Sequence, residues 1–137
     1  MKISVSNLQD AYPIKKNRVR DVVRDVMRRE GAGIDVNVDV DADVELSIAF
    51  VDKEEITRLN EKFLGHKGPT DVLSFPVDTN GGRLSGEVVV CPPVAVEFAA
   101  ESKTDVEGEI MLYVVHGLLH LLGYTDSNGK SAKKMHR

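Results

Sequence analysis

The segment HGLLHLLGYTD, residues 116–126, sets His116 and His120 four residues apart in an otherwise apolar stretch and follows them with Gly123 and Asp126. Residues four apart stack on successive helical turns, so the spacing predicts two imidazoles converging on one face of a helix. A single histidine among leucines and valines reads as a hydrogen-bonded core residue. Two at this spacing favour a metal ion, because buried imidazoles without partners cost free energy. Two ring nitrogens and the carboxylate of Asp126 make a three-ligand set that suits one zinc ion with an open fourth position. Zinc in such a set acidifies a bound water to a pKa of roughly 7 and polarises a carbonyl or phosphoryl oxygen. Gly123 is expected to end the helix in the left-handed conformation and swing Asp126 back toward the pair. His136, near the end of the chain, is the rival third ligand.

The elements that must position this pair can be read from periodicity. KISVSNL, residues 2–8, alternates weakly as a first strand, and Ile14 to Glu30 carries Val19, Val22, Val23, Val26 and Met27 at helical spacing before Gly31. ELSIAFV, residues 45–51, is a buried strand; Asp52 then caps a helix over residues 53–64 whose apolar positions are Ile56, Leu59, Phe63 and Leu64, and Gly65 ends it. TDVLSFPV and GEVVVCP are strands joined by the turn-rich DTNGGRLS. A helix follows Pro92 and Pro93 to about Lys103, and the histidine helix runs from about Asp105 to Leu122. The expected class is α+β, a mixed sheet of about four strands packed against helices, with the histidine helix central and buried.

A chain of 137 residues, 42% apolar and 29% charged, is expected to form one globular domain over residues 1–137. The N-terminus lacks the apolar core of a signal peptide, and the apolar run of roughly residues 110–122 is short for a bilayer, so a cytoplasmic protein with no membrane partner is expected. Cys91 in VVVCPP reads as a small buried thiol. The net charge of −4 is unevenly spread: residues 1–30 hold eight Lys or Arg against four acids, whereas residues 31–61 hold nine acids against Lys53 and Arg58. The basic start offers either an RNA-guiding face or a merely solvated helix surface. DVNVDVDADVE, residues 35–45, begins like a calcium loop, but Val40 stands where the turn needs glycine and Leu46 where it needs a bidentate glutamate.

Two families share the histidine spacing. It is similar to HExxHxxGxxH zinc peptidases, yet Gly117 occupies the place of their catalytic glutamate. HGLLHLLGYTD, LNEKFLGHKGPTDVLSF and GEVVVCPPVA together resemble the YbeY family of metal-dependent endoribonucleases, over residues 59–126 and in element order along the chain. The resemblance implies a zincin-like α+β fold, a zinc ion on three side chains, and cleavage of single-stranded RNA in ribosomal RNA maturation and ribosome quality control. It also implies that Thr70, Asp71 and Ser74 line a cleft, although Thr70 and Asp71 serve equally well to organise the turn into a strand.

Two departures from the family pattern bear on function. Asp126 stands in place of the third ligand histidine, after Thr125 in place of an aspartate, and an anionic ligand should acidify the bound water less. Leu64 stands in the slot of an arginine associated with cleavage, and leucine can neither pair with phosphate nor stabilise charge. His66 and Lys67 follow closely and could partly compensate, or simply belong to a solvated loop. The alternative function is therefore a metal-stabilised ribosome- or protein-binding module with little catalytic activity.

Overall fold

The computed structural model describes residues 1–30, 44–78 and 84–125. Asp126, His136 and most of the rejected calcium-like segment lie outside the described residues. Four strands, β1 (Lys2–Leu8), β2 (Val44–Val51), β3 (Val72–Asp78) and β4 (Leu84–Val90), form a sheet of order β1-β2-β4-β3. The β1–β2 and β2–β4 pairs are parallel, and β3 runs antiparallel to β4 at the edge. Pro76 interrupts β3 beside a register shift, as suits a strand at a sheet edge, where a missing N–H breaks no ladder.

Helix α1 (Lys16–Glu30) buries Val19, Val23 and Met27, three positions of the predicted stripe. With α4 (Val106–Thr125) it covers one face of the sheet, where the fully buried Leu46, Ile48, Phe50, Val88 and Val90 meet Ile110, Val114, Leu118 and Leu121. The alternate residues of β2 and β4, Ala49, Val51 and Val89, point the other way and meet Leu73, Cys91 and Ile56. Ile56 belongs to α2 (Lys53–Leu59), which starts where Asp52 Oδ1 accepts the Glu55 N–H at 2.9 Å. Helix α3 (Pro92–Ser102) begins on two prolines whose missing N–H groups cost nothing there, and ends at Lys103 in the left-handed conformation.

Three expectations need correction. The segment Asn60–Leu64 is a turn of π-helix rather than a continuation of α2. Asn60 is buried there and donates from Nδ2 to the Gly68 carbonyl at 3.0 Å, so a polar residue faces inward while Phe63, expected on the apolar stripe, is exposed. Gly65, at φ 69°, closes the turn. Second, α4 passes through Gly123 to Thr125. Leu118 and Leu121, both fully buried, anchor its last turns and outweigh a glycine propensity cost of about 1 kcal/mol. Third, α4 is buried on one side only: Leu112 is 49% exposed and His116 also faces solvent, since the sheet, α1 and α3 cover the rest. By length and composition Val106–Gly123 could also cross a membrane, unlike the shorter run taken from sequence; in this fold that stretch is the helix packed on the sheet.

Candidate active site on the histidine helix

The site begins with Gly117, the residue between the two histidines' turns. A Cβ built there would lie 2.5 Å from Val88 Cγ1 and 2.9 Å from Val72 Cγ2, so only glycine lets α4 approach β3 and β4 this closely. One turn further on, Gly86 in β4 makes the same accommodation for Leu121. Ser74 Oγ donates to the Gly117 carbonyl at 2.6 Å and ties the turn to the edge strand. His116 and His120 are thus carried on consecutive turns beside β3, His116 exposed and His120 half-buried.

Of the residues expected at the site, Ser74 is bonded to the histidine turn. Asp71 sits at the entry to β3, where its Oδ1 accepts the Val72 N–H at 2.8 Å and the Thr70 hydroxyl at 3.3 Å. Its own carbonyl accepts the Cys91 N–H at 2.9 Å. These bonds give Thr70 and Asp71 the turn-organising role. Asp71 also acts at a distance on Tyr113, which lies one turn before the histidines. Burial, reinforced by the carboxylates of Asp71 and Glu109, pushes the Tyr113 phenol up to about 12. It stays protonated at neutral pH. A tyrosine in an apolar helix carries no signal in sequence that separates this from ordinary packing.

His66 and Lys67 occupy an exposed loop, with the His66 N–H bonded to the Asn60 carbonyl at 3.3 Å. Leu64 is 47% exposed in the preceding turn, so its position presents to solvent whatever side chain stands there. The basic α1 is a weaker candidate for RNA contact than its charge suggested. Arg18 pairs with Glu107 of α4 at 2.9 Å, Arg29 with Asp25 at 3.1 Å, and Arg24 lies 3.6 Å from Asp21. Burial pushes the Cys91 thiol up, which keeps it an inert core group.

Among the described residues no group of three or more His, Cys, Asp or Glu is placed to hold a metal ion. The donor chemistry of the two imidazoles, His116 and His120, is of the kind that suits a zinc ion. Comparison with known proteins decides the family. The model of the family "Endoribonuclease YbeY" matches residues 4–137. The chain belongs to the YbeY family. The YbeY protein of Protochlamydia amoebophila (strain UWE25) is 35% identical over 127 residues, 90% of this chain and 79% of that protein. The YbeY protein of Acidothermus cellulolyticus (strain ATCC 43068 / DSM 8971 / 11B) is 33% identical over 148 residues, 98% of this chain and 85% of that protein. The solution structure of TM1509 from Thermotoga maritima aligns with a TM-score of 0.61 at 29% identity, covering 98% of this chain and 81% of that one. YbeY relatives carry the name endoribonuclease, a hydrolase activity on RNA.

Proposed function

We propose that this chain is a zinc-dependent endoribonuclease that cleaves single-stranded RNA in the cytoplasm, acting on ribosomal RNA during maturation and ribosome quality control. The observation that carries the reading is family membership across residues 4–137, with His116 and His120 set four residues apart on α4. A histidine helix packed across a mixed sheet beside its edge strand also supports the zincin-like reading of the fold. His116, His120 and Asp126 would hold the ion, which when bound supplies a Lewis acid and lowers the pKa of an attacking water. Ser74 holds the histidine turn against β3. Lys67 and His66 supply cationic and polar groups to the RNA backbone from the neighbouring loop.

Peptidase chemistry is disfavoured on space as well as on sequence. The Gly117 position faces Val88 and Val72, where a catalytic glutamate has no room. The reading of a binding module with little catalysis rests on Leu64, and Leu64→Arg separates the two. If the missing arginine is a lost phosphate contact, the variant should cleave single-stranded RNA about 10-fold faster or more at low salt. The gain should shrink as salt rises, with a log–log slope steeper by about 0.7 for one added contact. Cleavage that is unchanged at low salt would show that another cation, such as Lys67, already fills the role, and cleavage absent from both proteins would favour the binding module.

The third ligand is tested by zinc titration. Asp126→Ala should weaken zinc binding far more than His136→Ala, while Asp126→His should keep the metal. Retention of zinc by Asp126→Ala together with its loss from His136→Ala would reassign the ligand.

A further inference from the structure

Phe63 is 56% exposed and Leu64 47%, although both fall on the apolar stripe that should bury them. Their exposure is built into the chain. Asn60 takes the inward position and is bonded to the Gly68 carbonyl, the π turn re-aims the residues after it, and left-handed Gly65 fixes the exit. π turns inside helices occur frequently at functional sites. The Phe63 ring is held edge-on to Phe75, with centroids 5.5 Å apart and planes at 67°. Phe75 is itself partly buried against the cluster beneath α2, so one side of the exposed ring is braced by the core. The Lys62 ammonium lies 5.2 Å from the Phe63 centroid, and His66 and Lys67 are exposed in the loop that follows. The acid of this segment, Glu61, is turned back to accept the Gly68 N–H at 3.5 Å.

We propose that Phe63, braced by Phe75 and carrying Lys62 over its ring, with Lys67 exposed in the loop that follows, is a stacking platform for an unpaired base of the RNA substrate. This deepens the endoribonuclease reading and rests on it. Aromatic faces flanked by cations are the composition of single-strand nucleic-acid sites, whereas the cores of protein–protein interfaces are depleted of lysine. Placement agrees. Ser74, the residue before Phe75 on β3, reaches across to the histidine turn, while Phe75 faces the opposite side of the same edge strand. An RNA chain that sets a base on Phe63 must cross the β3 edge before one of its phosphates meets the histidine turn. Lys62, released from the ring, then meets the backbone. Stacking of this kind favours unpaired over duplex RNA without reading a particular base.

The sequence has no tryptophan, so Phe63→Trp creates a single reporter at the platform. Metal-free protein is titrated with a 2′-O-methyl single strand of about 10 nucleotides, which resists cleavage, and with an abasic strand of equal length. Quenching of the indole fluorescence of this variant by the base-bearing strand and not by the abasic one is expected. Phe63→Leu should bind the base-bearing strand roughly 5- to 100-fold more weakly than the parent and the abasic strand equally well. Unchanged affinity in Phe63→Leu would overturn the proposal, leaving the ring as a contact for a protein partner, and so would RNA binding that leaves the reporter fluorescence untouched. A parent protein that binds no single-stranded RNA would overturn the endoribonuclease reading along with it.

Discussion

His116→Ala should lose zinc binding and RNA cleavage together, each by more than about 100-fold, since even the outer partners of metal ligands are worth 10- to 100-fold. His120→Ala should do the same. The loss should appear in stability only when the metal is present. A ligand that binds the native state at about 100 times its Kd stabilises it by ~2.7 kcal/mol, a rise on the order of 10 °C in melting temperature for a domain of this size. The parent protein should show that rise on adding zinc, and His116→Ala should not. Without metal, His116→Ala should melt with the parent to within about 0.5 kcal/mol, because the side chain is exposed and outside the core. Equal zinc-induced stabilisation in the parent and both variants would remove the histidine pair from the metal site.

The second large effect is expected at the glycine between them. Gly117→Glu should abolish the folded state. The new side chain would start 2.5 Å from Val88 Cγ1, in a fully buried side chain of β4, and would carry a carboxylate into an apolar contact. Gly117→Ala separates the steric part. Alanine gains about 1 kcal/mol of helix propensity, but overpacking costs ~1–3 kcal/mol, and displacing both Val88 and Val72 puts this site toward the upper end, so net destabilisation is expected. Gly108→Ala serves as the comparison on the same helix. Gly108 is exposed and its nearest obstacle is the flexible Asp105 side chain at 3.2 Å, so that variant should be neutral or slightly stabilised. Thermal melts of the three variants check the contrast, and a Gly117→Glu protein that melts with the parent would mean that α4 does not sit on the sheet as described.

Local signals were legible where the chain's own chemistry decides them. Asp52 declares the start of α2, the proline pair that of α3, and Val19, Val23 and Met27 the buried stripe of α1. The π turn was not legible, because Ile56, Leu59, Phe63 and Leu64 fit a regular helix equally well. What decides otherwise is the bond from Asn60 to a carbonyl eight residues later. Gly123 is misleading for a similar reason: a glycine's stop signal yields where the turn around it is anchored, and Leu121 is seated against Gly86 of β4. At the site, the spacing of His116 and His120 announces the shared face, but their surroundings depend on how α4 lies on the sheet. That Ser74 and Gly117 are joined across 43 positions, and that Tyr113 lies within the field of Asp71, are facts of tertiary packing with no trace in local pattern.

The proposed RNA cleavage rests on a metal ion held by the histidine helix. It is tested most directly by stripping the purified protein with chelator, restoring one equivalent of zinc, and following an end-labelled single-stranded RNA beside its duplex form. Cleavage that is absent from the stripped protein, returns with zinc, spares the duplex and fails in His116→Ala is the predicted result. Cleavage that persists at full rate in the stripped protein, or that His116→Ala retains, would contradict it.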